Sequence, residues 1–544
     1  MRIVMVNWAR IADGATHGGG ANVYAQQLSL ELVQRGHEVL WLHGGLTYVP
    51  DPATGQIGPC VVRRMEDYRG VRVFEVINSP VVAPGPCQGR EPLAEVSAPE
   101  LEAEVGRFFE LVAPDIVHFH NIEGFSCGCV DVARKGRGEW GGARVVYSLH
   151  NYHTICPQVY LMKRGRVACF DFRGGEDCAG CMAEMRAPAE ERAHRAAYHM
   201  PRVEPPKARP GLGERLSAVF VAPPPEPPPP MQLPGRPVQS FVDIVPDEEK
   251  SRSRERSEAS GFSTPPAPMP RDPDAPELRP LSNAALPDPS FTPEATSDYA
   301  RRRRAMVEML SRCDRVLAVS SFVKAKFEAL GVDPRVVTVE HIGTRMADVA
   351  RVAPECLEPP PPLDGRPVRA VFLGYNNYYK GLPMLADALE MVDPALLARL
   401  HLCVYAKDVE AIEWRLNALE RMLAGLSVRS GYKYEDIPRL LHGKDVGIVP
   451  SVWWDNGPQT VMEFFACGMP VIAAELGGIP DLVRHGENGL LFRGNDRAAL
   501  CETLTGVLRE PEQLVRLRAG VRAPMNVPEH AARVERVYME SLAR

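Results

Sequence analysis

No apolar run in this chain approaches the ~18 uninterrupted residues that a membrane-spanning helix requires, so no transmembrane segment is expected. The chain also lacks an excess of positive charge. Its formal net charge is −6 and its pI is near 6.2, which argues against a broad surface for nucleic acid. Nor does its start read as a secretory leader. Arg2-Ile-Val-Met-Val-Asn7 has the pattern of a first strand, and no small-residue cleavage site follows a longer apolar core. These absences together predict a cytoplasmic protein. Its 13 cysteines are then expected to be reduced and available to a metal ion rather than to disulfides. At 544 residues, 45% of them hydrophobic, the chain has room for two or three ordinary globular domains.

The most informative stretch runs from Val446 to Asp481. Val446 to Val449 is a short buried strand that ends at Pro450. A polar loop, Trp453 to Gln459, follows. Thr460 is placed to cap a helix reaching Cys467, and Gly468 stops it. Met469 to Ala474 reads as a parallel strand buried on both faces, and Gly477-Gly478 supplies a tight turn. Asp455 then lies in the loop and Glu463 in the helix, with Gly457, Pro458 and the free N–H groups of the helix start between them. A helix start of this kind receives phosphate or sugar oxygens, and two carboxylates accept hydrogen bonds from sugar hydroxyls. In open α/β sheets, ligands sit at the carboxyl ends of the strands, where this loop lies. A helix cap beside a surface acid is the plainer reading of such a pair taken alone. The double-glycine turn and the whole pattern favour a site.

This stretch resembles the donor-sugar site of the retaining glycosyltransferases of family 4, which have the GT-B fold of two Rossmann-like α/β domains. The family shows a glutamate, seven residues, a second glutamate and then a glycine-rich turn. Here Asp455 stands at the first position, one methylene shorter, Glu463 at the second, and Gly477 to Asp481 form the turn. Gly486-Glu-Asn-Gly-Leu-Leu-Phe492 is similar to the family as well. The resemblance implies that Asp455 holds hydroxyls of the sugar, Glu463 the ribose, and Gly457, Pro458, Gln459 and Thr460 the donor's phosphates and sugar.

The rest of the chain fits two α/β units. Arg2 to Asn7, a loop containing His17-Gly-Gly-Gly20, a helix from Asn22 to Arg35 and a strand from His37 to Leu42 make one βαβ unit. A glycine-rich turn without a ligand is nearly as natural. By resemblance, Gly19 and Gly20 lie where the donor diphosphate approaches the first domain. Strands at Asp115–His120 and Arg144–Leu149 follow. His118 reads as a histidine bonded to nearby backbone, whereas His150 matches a family histidine that lies near the donor sugar. In the second unit, Val368 to Leu373 is the first strand. Lys380 matches a lysine that neutralises the donor diphosphate, but the usual arginine, five residues earlier, is Tyr375. Either a single cation holds the diphosphate less firmly or another residue replaces the arginine.

Cys156, Cys169, Cys178 and Cys181 follow the His150 segment. The last two form Cys-x-x-Cys, and four thiolates are a standard structural zinc set. The loop from Pro157 to Met182 has few apolar anchors, and a loop that long calls for a staple. Similar quartets occur in a subset of the family. Unrelated buried cysteines are the alternative. From about 187 to 296 the composition changes: positions 201–300 carry 24 of the chain's 52 prolines, the mark of a disordered insertion. The four arginines of Tyr299–Leu310 read as a solvated helix face that could also meet an anionic membrane surface or acceptor.

The expected organisation is a first Rossmann-like domain over 1–345 with the insertion inside it, a linker over 346–366, a second Rossmann-like domain over 367–524, and a C-terminal helix over 525–544 crossing back to the first domain. The resemblance implies transfer of a sugar from a UDP- or GDP-type nucleotide sugar to a glycan or lipid-linked acceptor, with retention and with no metal or other cofactor required for the chemistry. The alternative is a nucleotide-sugar-binding scaffold that no longer transfers, for which Tyr375, Asp455 and the insertion speak.

Overall fold

The computed structural model describes residues 1–14, 17–164, 167–169, 172–198, 280–281, 283 and 297–544. Two parallel sheets, each flanked by helices, face each other across a cleft. The first comprises β1 (Arg2–Val6), β2 (Glu38–Gly44), β3 (Val61–Arg64), β4 (Arg72–Ile77), β5 (Ile116–Phe119) and β6 (Arg144–Leu149). A small antiparallel hairpin, β7 (Met162–Lys163) and β8 (Val167–Ala168), stands apart from it. β9 (Arg315–Ala318) and β10 (Val337–Val339) complete the first sheet. Its order is β10-β9-β6-β5-β1-β2-β4-β3, parallel except for β3. The second sheet holds β11 (Val368–Tyr375), β12 (Leu400–Lys407), β13 (Gly425–Ser430), β14 (Val446–Val449), β15 (Val471–Ala474) and β16 (Gly489–Phe492). Its order is β13-β12-β11-β14-β15-β16, parallel throughout. The central strands are buried on both faces, Ile3 to Val6 and Val471 to Ala474 among them, which is why they read as continuous apolar runs.

Several boundaries differ from the sequence expectation. Helix α1 (Gly19–Gln34) begins three residues before Asn22, so Gly19 and Gly20 are its first turn and left-handed Gly18 precedes it. Asn22 is buried and ties the preceding loop to the helix. Its Nδ2 donates to the carbonyls of Arg10 and Gly14, and its Oδ1 accepts from Asn7 Nδ2 at 2.9 Å. The insertion also starts later than expected. Residues 188–197 form α2 (Pro188–Ala197), whose Arg195 bonds the carbonyls of Gly45 and Ala83. Leu281 is buried, and its N–H donates to Gly494 O at 2.8 Å. Most of the expected disordered insertion lies outside the described residues.

Helix α3 (Asp298–Arg312) carries the arginine run, and the reading of a solvated face holds for exposed Arg301 but fails for the next two arginines. Arg302 and Arg303 are buried. Arg302 pairs with Glu95 and donates to the carbonyl of His153 at 2.8 Å. Arg303 donates to Ile155 O at 2.9 Å and lies 3.6 Å above the Phe172 ring. Their charges meet buried acceptors, as buried charges must, and neither is available to a membrane surface. Helix α4 (Ser321–Ala329) is capped by Ser320, whose hydroxyl accepts from Val323 N–H. Its first turn also meets the second domain: Ser321 N–H donates to Asp481 at 2.6 Å.

Helix α5 (Gln459–Ala466) follows β14. It starts two residues earlier than expected, with Pro458 at the cap position, so Thr460 is inside the helix and caps nothing. Helix α6 (Val527–Leu542) packs against α1. Its Tyr538 hydroxyl bonds His118 Nδ1 at 2.6 Å, and its Glu535 pairs with Arg35. No helix among the described residues is long and apolar enough to cross a membrane.

Candidate active site

The carboxyl ends of β11 and β14 and the start of α5 form one wall of a cleft of about 350 Å³. The opposite wall comes from the first turn of α1 and the end of β6. Gly20, His150, Lys380, Asp455, Gly457, Gln459, Thr460 and Glu463 all line this cleft. Two of the sequence-predicted residues do not. Gly19 lies in the first turn of α1 with φ +55°. Pro458 faces a smaller cavity beneath, beside Ser451 and Phe372.

The centre of the site is an ion pair, Lys380 Nζ to Asp455 Oδ2 at 3.0 Å. Burial would depress the lysine, but the charge and hydrogen bond of Asp455 outweigh it and hold the ammonium above its usual range. Lys380 sits in a single 3-10 turn capped by Asn377, and Gly381 follows with φ +79°. A Cβ on Gly381 would fall 1.7 Å from Pro450 O, so only glycine lets this loop close against the β14 loop. The Gly477-Gly478 turn plays the matching part for Asp455. Gly478 N–H donates to Asp455 O at 2.7 Å, and a Cβ on Gly477 would lie 2.1 Å from the same carbonyl. The double glycine is therefore a packing requirement that fixes the backbone of the acid.

Glu463, on α5, is buried, and burial pushes its carboxyl up to about 7 despite the nearby Lys380. His150 ends β6 against the Tyr24 ring, with ring centroids 4.5 Å apart. Burial and the neighbouring His530 push it down to about 3, so it is a neutral imidazole at ordinary pH. Behind it, His150 Nε2 lies 3.2 Å from His120 Nδ1, while Tyr24 Oη bonds His530 Nε2 of α6 at 2.7 Å. His118 is buried between the hydroxyls of Tyr538 and Ser148.

The two walls are bridged. Gln459 Nε2 donates to Gly20 O at 3.2 Å, and Tyr152 Oη donates to Trp454 O at 2.8 Å. The Asp481 contact with Ser321 adds a third bridge.

Tyr432 and Tyr434 line the cleft as well. Sequence reasoning missed Tyr24, Lys407, Asn283 and Lys326. Tyr24 and Lys407 line the cleft with no local motif to mark them, although Lys407 ends a strand. Asn283 clamps the glycine turn: its Oδ1 accepts from Gly477 N–H at 2.7 Å and its Nδ2 donates to Gly477 O at 3.0 Å. Lys326 lies buried behind Trp454, its ammonium 5.3 Å above the indole and without a hydrogen-bond partner. Burial pushes it down to about 7.

The cysteine segment is more firmly anchored than its composition suggests, with Leu161, Met162, Phe172 and Met182 buried. Cys156, Cys169 and Cys178 are buried and Cys181 is partly so. Burial pushes Cys156 up to about 11 and Cys169 up to about 12, and neighbouring thiols add to both. Arg303 Nη2 donates to Cys178 Sγ at 3.4 Å, and Arg164 N–H to Cys181 Sγ at 3.1 Å. The donor set suits zinc, yet among the described residues no group of three or more His, Cys, Asp or Glu side chains is arranged to hold a metal ion.

Residues 18–168 match the family model described as Glycosyltransferase Family 4, and residues 367–510 match that described as Glycosyl transferases group 1. Each half of the chain is thus similar to a glycosyltransferase family model. A stretch of 103 residues is 38% identical to a D-inositol 3-phosphate glycosyltransferase of Thermobispora bispora, 18% of this chain and 24% of that protein. The enzyme of the same name from Streptomyces bingchenggensis is 27% identical over 255 residues, 44% of this chain and 54% of that one. The chain thus spans about a quarter to a half of these relatives' lengths. Among solved structures, HepE of Anabaena in complex with UDP superposes at a TM-score of 0.50 and 13% identity, covering 99% of this chain and 100% of that one. Sucrose-phosphate synthase from Thermosynechococcus elongatus gives 0.54 and 15%, covering 100% and 99%. At such identities the likeness is one of fold, and the fold of the two α/β domains is GT-B.

Proposed function

We propose that the chain is a glycosyltransferase that moves a sugar from a nucleoside diphosphate donor to an acceptor hydroxyl with retention of configuration. The observation that carries the reading is the convergence of Lys380, Asp455, Glu463, His150 and the starts of α1 and α5 on one cleft between two parallel-sheet domains. UDP bound to a relative of the same fold supports a nucleotide-sugar donor, here of UDP or GDP type. The acceptor is a glycan or lipid-linked hydroxyl.

In this reading the bond between the anomeric carbon and the diphosphate breaks, and negative charge grows on the leaving phosphate. Lys380 and the free N–H groups at the start of α5 stabilise that charge in place, without a divalent metal. Asp455 orients the lysine and accepts hydrogen bonds from the sugar. Glu463 accepts from the ribose hydroxyls, which favours its ionised form on binding. His150, neutral and seated against Tyr24, positions the sugar near its reacting carbon. Among the described residues the cysteine quartet is not arranged around a metal position, so holding one structural zinc ion would require the four thiols to draw together. Arg303 would then offset part of the negative charge of four thiolates, and the loop it orders leads directly from His150.

The test is turnover and donor hydrolysis over a panel of nucleotide sugars in the presence of chelator, with product anomers assigned by NMR. Unchanged turnover by Glu463→Ala would remove Glu463 from the site. Tyr375 favours a second reading, a binding scaffold without transfer. Tight binding of UDP or GDP with neither transfer nor hydrolysis across the panel would select it.

A further inference from the structure

The cleft is short of positive charge for its proposed ligand. Lys380 is already paired with Asp455 at 3.0 Å, and Glu463 adds a second acid. A diphosphate entering this wall needs another cation, and Tyr375 supplies none. The neighbouring strand does. β11 and β12 run parallel with Tyr375 opposite Lys407 in register, both at their carboxyl ends. Residues opposite each other on paired strands project from the same face, and both side chains line the cleft with Lys380. The Lys407 ammonium lies 5.3 Å above the Tyr375 ring.

We propose that Lys407 is the second cation of the donor-diphosphate site, with Tyr375 as the platform that holds it there; this rests on the nucleotide-sugar reading above. The backbone fixes its point of attachment. Asn376 N–H donates to Lys407 O at 2.9 Å, and Asn376 Nδ2 donates to Asp408 O at 2.9 Å, so the ends of the two strands are stitched together. No carboxylate among the described residues pairs with Lys407. Its contact with the ring is of the weak, partly exposed kind, and its flexible four-carbon stem lets the ammonium move from ring to phosphate without a backbone change. An arginine at 375 would present its charge from β11, whereas this chain presents it from β12. The aromatic ring keeps the ammonium over the cleft instead of in bulk water.

The experiment measures binding of UDP and GDP to the full chain by calorimetry. Uridine and guanosine, read by competition, serve as uncharged probes. Lys407→Ala is expected to weaken the diphosphate by about tenfold to a hundredfold, the range for a charged hydrogen bond, and to leave the nucleoside within about twofold. Lys407→Arg should keep most of the affinity. Tyr375→Arg in the Lys407→Ala background should restore it, because the charge returns from the adjacent strand, and a merely structural loss would not be rescued in that way. Equal loss for diphosphate and nucleoside, or no loss for either, overturns the role of Lys407 while leaving the site intact. A wild-type chain that binds neither diphosphate overturns the reading of the site itself, and this inference with it.

Discussion

Replacing Glu463 by glutamine isolates the cost of burying an acid in the cleft wall. The carboxyl is buried, and its pKa is displaced from the 4.5 of an ordinary glutamate to about 7. A raised acid contributes its stability fully below its unfolded value and loses it as pH rises through its folded value. Wild-type stability is therefore expected to fall relative to Glu463→Gln between about pH 4.5 and 7 and to level off above. At about 1.36 kcal/mol per pH unit the whole displacement amounts to roughly 3 kcal/mol. Urea midpoints of both proteins at half-unit steps from pH 5 to 8.5 give the difference directly. The gap in favour of the variant should widen by a few kcal/mol up to neutrality. A gap that stays flat over this range would show that Glu463 titrates as a surface acid and would refute the burial argument. Nucleotide binding adds a second readout. Ribose hydroxyls donate to the ionised form, so wild-type affinity should rise as pH passes 7, and the glutamine variant should show no such rise.

Gly477→Ala should cost on the order of 2–4 kcal/mol, because the residue has φ +57° and its Cβ would sit 2.1 Å from Asp455 O; turnover should fall with the denaturation midpoint. Lys326→Met should stabilise the protein. Burial displaces the lysine from 10.5 to about 7, so the wild type loses stability as pH falls from about 10.5 towards 7, and the advantage of the variant measured in urea should be larger at pH 7 than at pH 10. For the cysteine quartet, elemental analysis of protein purified without chelator should find about one zinc per chain, and Cys178→Ser should lower zinc content and melting temperature together. Zinc well below one per chain, with all four thiols titratable in the native state, would refute that site.

The stretch from Val446 to Asp481 could be read in advance because its chemistry is local. A strand, a loop, a helix start and a glycine turn follow within one βαβ unit, and this order together with the family resemblance marks Asp455 and Glu463 as one site beside the Gly477 turn. Residues whose meaning depends on distant partners could not be read in this way. Arg302 and Arg303 have the sequence of a wet surface, and only Glu95, Ile155 O and Cys178 turn them into buried anchors. Asn283 lies in a stretch that composition assigns to disorder, yet it satisfies both polar groups of Gly477. The helix boundaries at Gly19 and Gln459 missed by two to three residues for a related reason. Asn22 looks like a helix start and Thr460 like a cap in sequence, but Asn22 is taken up by tertiary contacts and Pro458 holds the cap position.

The three bridges across the cleft, from Gln459 to Gly20, Tyr152 to Trp454 and Ser321 to Asp481, bear on the timing of the reaction. If each contributes about 1 kcal/mol net, these three alone favour the closed form by a factor of roughly a hundred. A donor that enters only the parted form binds more weakly than its contacts alone would allow, by that same factor. The spent nucleotide, held by the same closed walls, leaves no faster than they separate. Cycle time would then be set by hinge motion, and weakening a bridge far from the reacting carbon, as in Tyr152→Phe, would shorten the cycle while loosening the hold on donor.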